Sequence, residues 1–270
     1  EVWKQSQSNK KNHHADSLTL SKSTGDDMNG SLLGPEYNEK EICEALGSFD
    51  AVYLRFDEGE LLDRVSALLE DGKIVGWFQG RMEFGPRSLG NRSILGDPRL
   101  VSLQSSINRK VKFRESFRPF APAVLEERSS EYFDLKGSSP YMLKVANVAE
   151  SQLKKVLDKE EEGFDRIKYE RSTIPAVTHV DGSARVQTVN KYQNPLFWKL
   201  LKCFESKTNC GVLLNTSFNV RGEPVVCTPE DAYRCFVNTS IDWLAIGPFL
   251  LKRGDQPEAK PQQEFDPIPD

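Results

Sequence analysis

Hydrophobic positions along this chain change period repeatedly, and the changes mark alternating helices and strands. Over 58–71, Leu61, Leu62, Val65, Leu68 and Leu69 share one face of a 3.6-residue repeat, and Gly72 supplies a stop. A second amphipathic helix is expected over 195–206. Two shorter helices announce themselves by their caps. Asn38 with Glu41 forms a capping box for a helix through Leu46. Thr228, with Pro229 and Asp231 behind it, opens a helix to Phe236. Runs at 51–55, 74–78, 185–189, 211–214, 243–246 and 249–252 read as strands, with weaker candidates at 119–125 and 141–148. A charged helix is expected over 150–162. The alternation predicts an α/β fold, a twisted mixed sheet with flanking helices.

Composition adjusts this picture at the ends of the chain. Of the 270 residues, 38% are hydrophobic and 28% charged, a slightly low apolar share that suits a globular body with some unstructured chain. Residues 1–32 are polar, lack the apolar core of a signal peptide, and read as a disordered lead-in or the remnant of a missing N-terminal domain. The body is expected over 33–253, and the proline-rich stretch 254–270 as a disordered tail. No apolar run approaches the roughly 20 residues that cross a bilayer, so no membrane partner is expected. Five widely spaced cysteines without a CxxC pair read as reduced thiols, which implies a cytoplasmic setting. His13 and His14 lie in the lead-in and His179 stands alone in the body, so no zinc site of the usual Cys/His type is expected.

Net charge is −4 overall, which argues against whole-molecule nucleic-acid binding. The distribution is uneven, however. The 40 residues 79–118 hold nine basic and three acidic side chains. Within them Gly80, Gly85 and Gly90 let backbone N–H groups approach a ligand closely. Arg87, Arg92, Lys112, Arg114 and Arg118 supply charge suited to phosphate oxygens. The blander reading is a solvated basic face. A third is a nucleic-acid groove lined by Phe84, Phe113 and Phe117. The basic residues alternate with Gly, Pro and aromatic residues, which favours a polyphosphate.

Two further segments carry polar groups in apolar surroundings. His179, Asp181, Arg185 and Gln187 lie about a turn at Asp181-Gly182 that fixes the entry to a strand, and strand spacing puts Arg185 and Gln187 on one face. A structural histidine is the alternative there. Ser217 and Asn219 open a polar loop after the apolar strand 211–214, where α/β sheets often bind ligands. An ordinary Asx/Ser turn is the alternative there.

The motifs GRMEFGPRSLGNRSILGDPR, INRKVKFRESFRPFAP, IPAVTHVDGSARVQTV and LLNTSFNVRGEPVV, in that order, resemble the C-terminal region of the O-carbamoyltransferases. That family includes the tobramycin, cephalosporin and nodulation-factor carbamoylating enzymes. The resemblance covers 33–252 and implies the fold of threonylcarbamoyl-adenylate synthases. It implies ATP and carbamoyl phosphate as ligands and carbamoyl-adenylate as product, with Mg²⁺ accompanying the nucleotide on ligands the sequence does not identify. Lys112-Phe113-Arg114 looks like the related synthases' Lys-x-Arg pair, and Ser217-Phe218-Asn219 like their Ser-x-Asn pair. His179 and Arg185 look like further ligand contacts, alongside Arg92, Arg118 and Gln187, and Arg87 joins Lys112 and Arg114 among the catalytic cations. Family members also carry a preceding metal-binding transferase domain, expected here in cis or in trans. The remaining readings are a threonylcarbamoyl-adenylate synthase serving tRNA modification and a nucleic-acid-binding module.

Overall fold

A computed structural model describes residue 26, residues 28–154 and residues 169–257. Nine strands form one mixed sheet among the described residues. They are β1 (Leu54–Arg55), β2 (Val75–Phe78), β3 (Arg92–Gly96), β4 (Ala121–Leu125), β5 (Lys144–Asn147), β6 (Ser183–Val189), β7 (Val212–Ser217), β8 (Trp243–Ile246) and β9 (Phe249–Lys252). Their order is β1-β9-β8-β2-β3-β7-β4-β6-β5. The β2–β8 and β4–β6 pairs are parallel and the others antiparallel. The mixed α/β sheet expected from the hydrophobic pattern is therefore present.

Six α-helices flank it among the described residues: α1 (Glu39–Gly47), α2 (Glu58–Glu70), α3 (Val101–Lys110), α4 (Ser129–Tyr132), α5 (Pro195–Thr208) and α6 (Pro229–Val237). Both capping boxes form, at Asn38/Glu41 and at Thr228/Asp231. They satisfy N–H groups that the first helical turn leaves unpaired. The stripe Leu61, Leu62, Val65 and Leu69 of α2 is buried, and α2 packs against α5. There Phe197, Leu200, Leu201 and Phe204 are all 0% exposed, and burying each side chain contributes about 1.5–3 kcal/mol.

Several boundaries differ from expectation. The strand expected over 51–55 shrinks to the exposed pair of β1, because only those residues meet β9. Strand β7 runs on through Asn215, Thr216 and Ser217, since β3 and β4 offer partners to that point. Strand β3 and helix α3 both lie inside the basic stretch, where no regular element was expected. Residues 150–152 form a 3₁₀ turn instead of the start of a long helix, and the remainder of that expected helix lies partly outside the described residues. Asp26 bonds to Gln193 at 2.9 Å and to Tyr141. The backbone at Ser31, Gly34 and Pro35 is laced to Met82 and Phe84. Chain ahead of Leu33 therefore contributes to the packed body.

Candidate anion-binding site

The sheet's middle strands build the floor of the site. Register pairs Asn215 of β7 with Ala121 of β4, and Ala123 of β4 with Gln187 of β6. The short alanines let the two amides meet across β4, where Asn215 Nδ2 donates to Gln187 Oε1 at 2.8 Å. Both side chains thus lie on one face. Strand alternation adds Ser217 and Arg185, each two residues away, to that face. The strand spacing that placed Arg185 with Gln187 is therefore realised in β6.

A loop folds over this floor. Glu83 is 5% exposed, and its Oε1 accepts the backbone N–H groups of Leu89 at 2.7 Å and Asn91 at 2.7 Å. From the floor, Gln187 Nε2 donates to Leu89 O at 2.7 Å and Asn215 Nδ2 to Ser88 O at 3.1 Å. Gly90 completes the fold-over at φ 109°, and a Cβ there would stand 2.2 Å from the Phe197 ring, so glycine is required. The loop thereby delivers Arg87 beside Arg185.

These two arginines carry the site's electrostatics. Neither guanidinium makes a hydrogen bond or ion pair with a described residue, and the Nε of each is buried without an acceptor. Ser88 Oγ and Asn215 Oδ1 are buried and unpartnered in the same place. Burial lowers the pKa of Arg185, and the like charge of Arg87 lowers it further. His179 is also pushed below its ordinary value, chiefly by burial, against the pull of Asp181 and with Arg185 and Arg171 adding to the shift. Its Nδ1 meets Ser183 Oγ at 3.3 Å. Groups that repel each other and leave buried polar atoms unmet are costly unless an anion joins them.

A second cationic group adjoins through β7. Lys112 is 4% exposed. Its Nζ donates toward Ser217 O, Ser217 Oγ at 3.2 Å, Asn219 O at 2.9 Å and Asn219 Oδ1 at 2.8 Å. Burial, then the charge of Arg114, pushes Lys112 down to about 7, while the four facing oxygens favour its ammonium form. Arg114 donates from Nε to Asn108 Oδ1 at 2.7 Å and stands over the Phe120 ring. Burial lowers its pKa, and Arg118 lowers it further. Arg118 is paired with Glu115 at 3.1 Å.

Three of the expected site residues are used differently by the fold. The Lys112–Arg114 segment turns at Phe113, which takes φ 47° just beyond α3, and the ammonium of Lys112 is engaged by the Ser217–Asn219 loop. Arg92 is 0% exposed and spends its guanidinium on Gln79 O at 2.8 Å, Asn91 O at 3.1 Å, Gly80 O at 3.1 Å and Pro35 O at 3.2 Å. Stacked on Phe78 and lowered by burial to about 10, Arg92 braces the base of the loop and has no face for a ligand. Gln187 is 3% exposed and positions the loop. Sequence reasoning passed over Asn215 and Glu83. The available signals were an amide inside the apolar run of β7 and a lone carboxylate among the glycines.

Fold and site together define a mixed α/β domain in which two cations, Arg87 and Arg185, stand near one face of the sheet without an acceptor for their Nε atoms among the described residues. The chain belongs to the carbamoyltransferase C-terminal family: the model of the Carbamoyltransferase C-terminus matches residues 66–253. An uncharacterized protein of Synechocystis sp., sll1178, is 52% identical over 89% of this chain and 40% of its own length. Nodulation protein NolO of Bradyrhizobium diazoefficiens is 43% identical over 68% of this chain and 31% of its own. The 3′-hydroxymethylcephem-O-carbamoyltransferase of Amycolatopsis lactamdurans is 36% identical over 72% of this chain and 33% of its own. The chain thus spans two fifths or less of the length of these curated relatives. Full-length HypF, solved in its phosphate- and nucleotide-bound form, aligns with a TM-score of 0.42 at 14% identity, over 76% of this chain and 22% of its own, a likeness too low to carry an argument. No helix among the described residues is long and apolar enough to cross a membrane.

Proposed function

We propose that this chain binds ATP and carbamoyl phosphate and forms carbamoyl-adenylate, the first half of O-carbamoyl transfer to a hydroxyl acceptor. The observation that carries the reading is the pair Arg87 and Arg185, coupled cations without a protein acceptor for their buried Nε atoms. In the proposed reaction one water takes the phosphoryl group of carbamoyl phosphate, the bond from phosphorus to the carbamoyl oxygen breaks, and inorganic phosphate and carbamate result. A carbamate oxygen then attacks the α-phosphorus of ATP, the bond to the bridging oxygen breaks, and pyrophosphate departs. Both reactants are anions, so the chemistry asks mainly for fixed positive charge and exclusion of bulk water. Arg87 and Arg185 hold the two anions together, with His179 at their side. Arg114 and Arg118 extend the field toward the polyphosphate. Ser217 and Asn219, bonded to each other at 2.6 Å and held by Lys112, border the polyphosphate.

ATP would arrive as its Mg²⁺ complex. Among the described residues no three His, Cys, Asp or Glu side chains gather as a metal site requires. Acceptor binding and the transfer step are assigned to further protein, in cis or in trans, as the greater length of the relatives supports. The free cysteines suit a reducing cytoplasm. Relatives named as nodulation proteins and a cephem O-carbamoyltransferase favour this reading over threonylcarbamoyl-adenylate synthesis. The test is ATP–pyrophosphate exchange with and without carbamoyl phosphate. Exchange that depends on carbamoyl phosphate is expected. Its absence, or its replacement by exchange that needs threonine and bicarbonate, refutes the proposal.

A further inference from the structure

Ahead of α1, Asp26 and residues 28–35 form a strap that is bonded at both ends. At the far end the Asp26 carboxylate accepts four donors. They are the backbone N–H groups of Met28 at 3.1 Å and Gly30 at 3.0 Å, Gln193 Nε2 at 2.9 Å and the Tyr141 hydroxyl. Tyr141 packs in turn on a small buried cluster of Leu89, Ala121 and Met142. At the near end the strap pairs with one limb of the loop that carries Arg87. Phe84 N donates to Ser31 O at 2.7 Å, Gly34 N to Met82 O at 2.9 Å and Met82 N to Pro35 O at 2.9 Å. A Cβ on Gly34 would stand 2.8 Å from Met82 O, so this close approach of two backbones requires glycine.

The residue between Met82 and Phe84 is Glu83. Both of its chain neighbours are bonded to the strap, so the strap fixes the backbone from which the buried carboxylate reaches. That carboxylate gathers the N–H groups of Leu89 and Asn91 from the opposite limb, each at 2.7 Å, and Arg87 stands in the chain between the two limbs. We propose that Asp26 and Gly34 are positioning residues for the anion site, holding the strap to the loop so that Glu83 can fix the limb that presents Arg87. The inference rests on the anion-binding reading above. Arg87 has no acceptor among the described residues for its buried Nε, so its place is set by the backbone beneath it. A cation on a fixed backbone loses less freedom when it takes up a ligand, and such preorganisation strengthens binding. From the floor, Gln187 and Asn215 hold the Ser88–Leu89 side of the loop, and the strap holds the other.

Two measurements on the full chain test this. Amide hydrogen exchange at Leu89 and Asn91 reports the Glu83 contacts directly, and Asp26→Ala and Gly34→Ala should each speed it about tenfold, as local opening becomes easier. Calorimetric titration with carbamoyl phosphate should show binding about tenfold weaker in each variant, as expected when a ligand cation is no longer held in place. The strap acts through Arg87, so adding either substitution to Arg87→Ala should weaken binding by no more than about a further twofold. Purely structural damage would lower affinity equally in both backgrounds. Thermal melts establish that each variant folds. If Asp26→Ala does not, Tyr141→Phe removes only one hydroxyl from the anchor and should shift exchange and affinity in the same direction. Unchanged exchange at Leu89 and Asn91, or a loss of affinity that persists in full on Arg87→Ala, overturns the inference. Failure of the wild type to bind carbamoyl phosphate overturns the anion reading instead, and exchange then still shows whether the strap holds the loop, which distinguishes the two failures.

Discussion

Replacing Arg185 with alanine distinguishes a ligand cation from a structural one by the opposite signs of two effects. In the folded chain the Arg185 guanidinium makes no bond to a described residue, and its Nε is a buried donor without an acceptor. Truncation removes that unmet donor, which relieves on the order of 1 kcal/mol. It also removes the repulsion from Arg87, which solvent largely screens at a half-buried site. Loss of packing by the aliphatic stem takes back a similar amount. The net change in stability is therefore within about 1 kcal/mol, or roughly 2–4 °C in melting temperature for a domain of this size. Binding should respond differently. Losing a charge-assisted hydrogen bond to a bound anion costs about 1.5–3 kcal/mol, which is roughly a 10- to 150-fold loss of affinity. Thermal melts and calorimetric titration with carbamoyl phosphate measure both quantities on one preparation. Arg87→Ala should behave alike, and the double variant should lose less than the sum, because both side chains serve one ligand. A melting point lowered by more than about 5 °C, with anion affinity unchanged, would falsify the ligand role.

Gln187→Leu should leave Leu89 O and Asn215 Nδ2 without their partner. The expected cost is about 1–3 kcal/mol, read as a lower melting point, with a raised KM in the exchange assay as the Arg87 loop loosens; an unchanged KM would detach Gln187 from loop positioning. For Lys112 the pH dependence has a definite sign. With the folded pKa lowered from 10.5 to about 7, the unfolded chain binds one more proton above pH 7, so this residue makes stability rise with pH from about 7. Cys235, raised by burial to about 12, acts in the opposite direction above its ordinary range, so the useful window closes near pH 8.5. Melts of wild type and Lys112→Met across that window should diverge as pH rises, with the wild type gaining. Parallel curves would place the folded pKa of Lys112 near its ordinary value and refute the shift.

The helices and inner strands were legible wherever one physical signal dominated. The stripe of α2 and the caps of α1 and α6 specify burial and backbone hydrogen bonding locally, and they survive unchanged in the fold. Strand β3 was hidden because its sequence, Arg92-Ser93-Ile94-Leu95-Gly96, places a charge and a hydroxyl in a strand buried on both faces. What makes it a strand is pairing with β2, across the intervening loop 79–91, and with β7, more than a hundred positions further along the chain. Helix α3 opens on Leu100, which provides no side-chain cap, so its N-terminal signature is missing as well. The short β1 shows the converse: strand-like composition without enough partner.

The site divides along the same line. Residue type and spacing identified a basic segment and placed Arg185 and Gln187 on one face, because a two-residue period is a local property. Which cation remains available is not local. Arg87 and Arg92 stand five positions apart in one glycine-rich motif and have the same chemistry. Arg92 meets four carbonyl oxygens contributed by Pro35, Gln79, Gly80 and Asn91, while Arg87 meets none among the described residues. Three of those oxygens come from the folded motif itself, and the fourth, Pro35 O, is brought in as the segment before α1 pairs with the backbone at Met82. Lys112 also depends on the fold, since its acceptors lie more than a hundred positions further along the chain. An arginine or lysine is free for a ligand when the fold brings it no acceptor, and the folded backbone decides where the acceptors stand. The cations available for an anion are therefore those that tertiary structure has declined to satisfy, which the pair Arg87 and Arg185 exemplify.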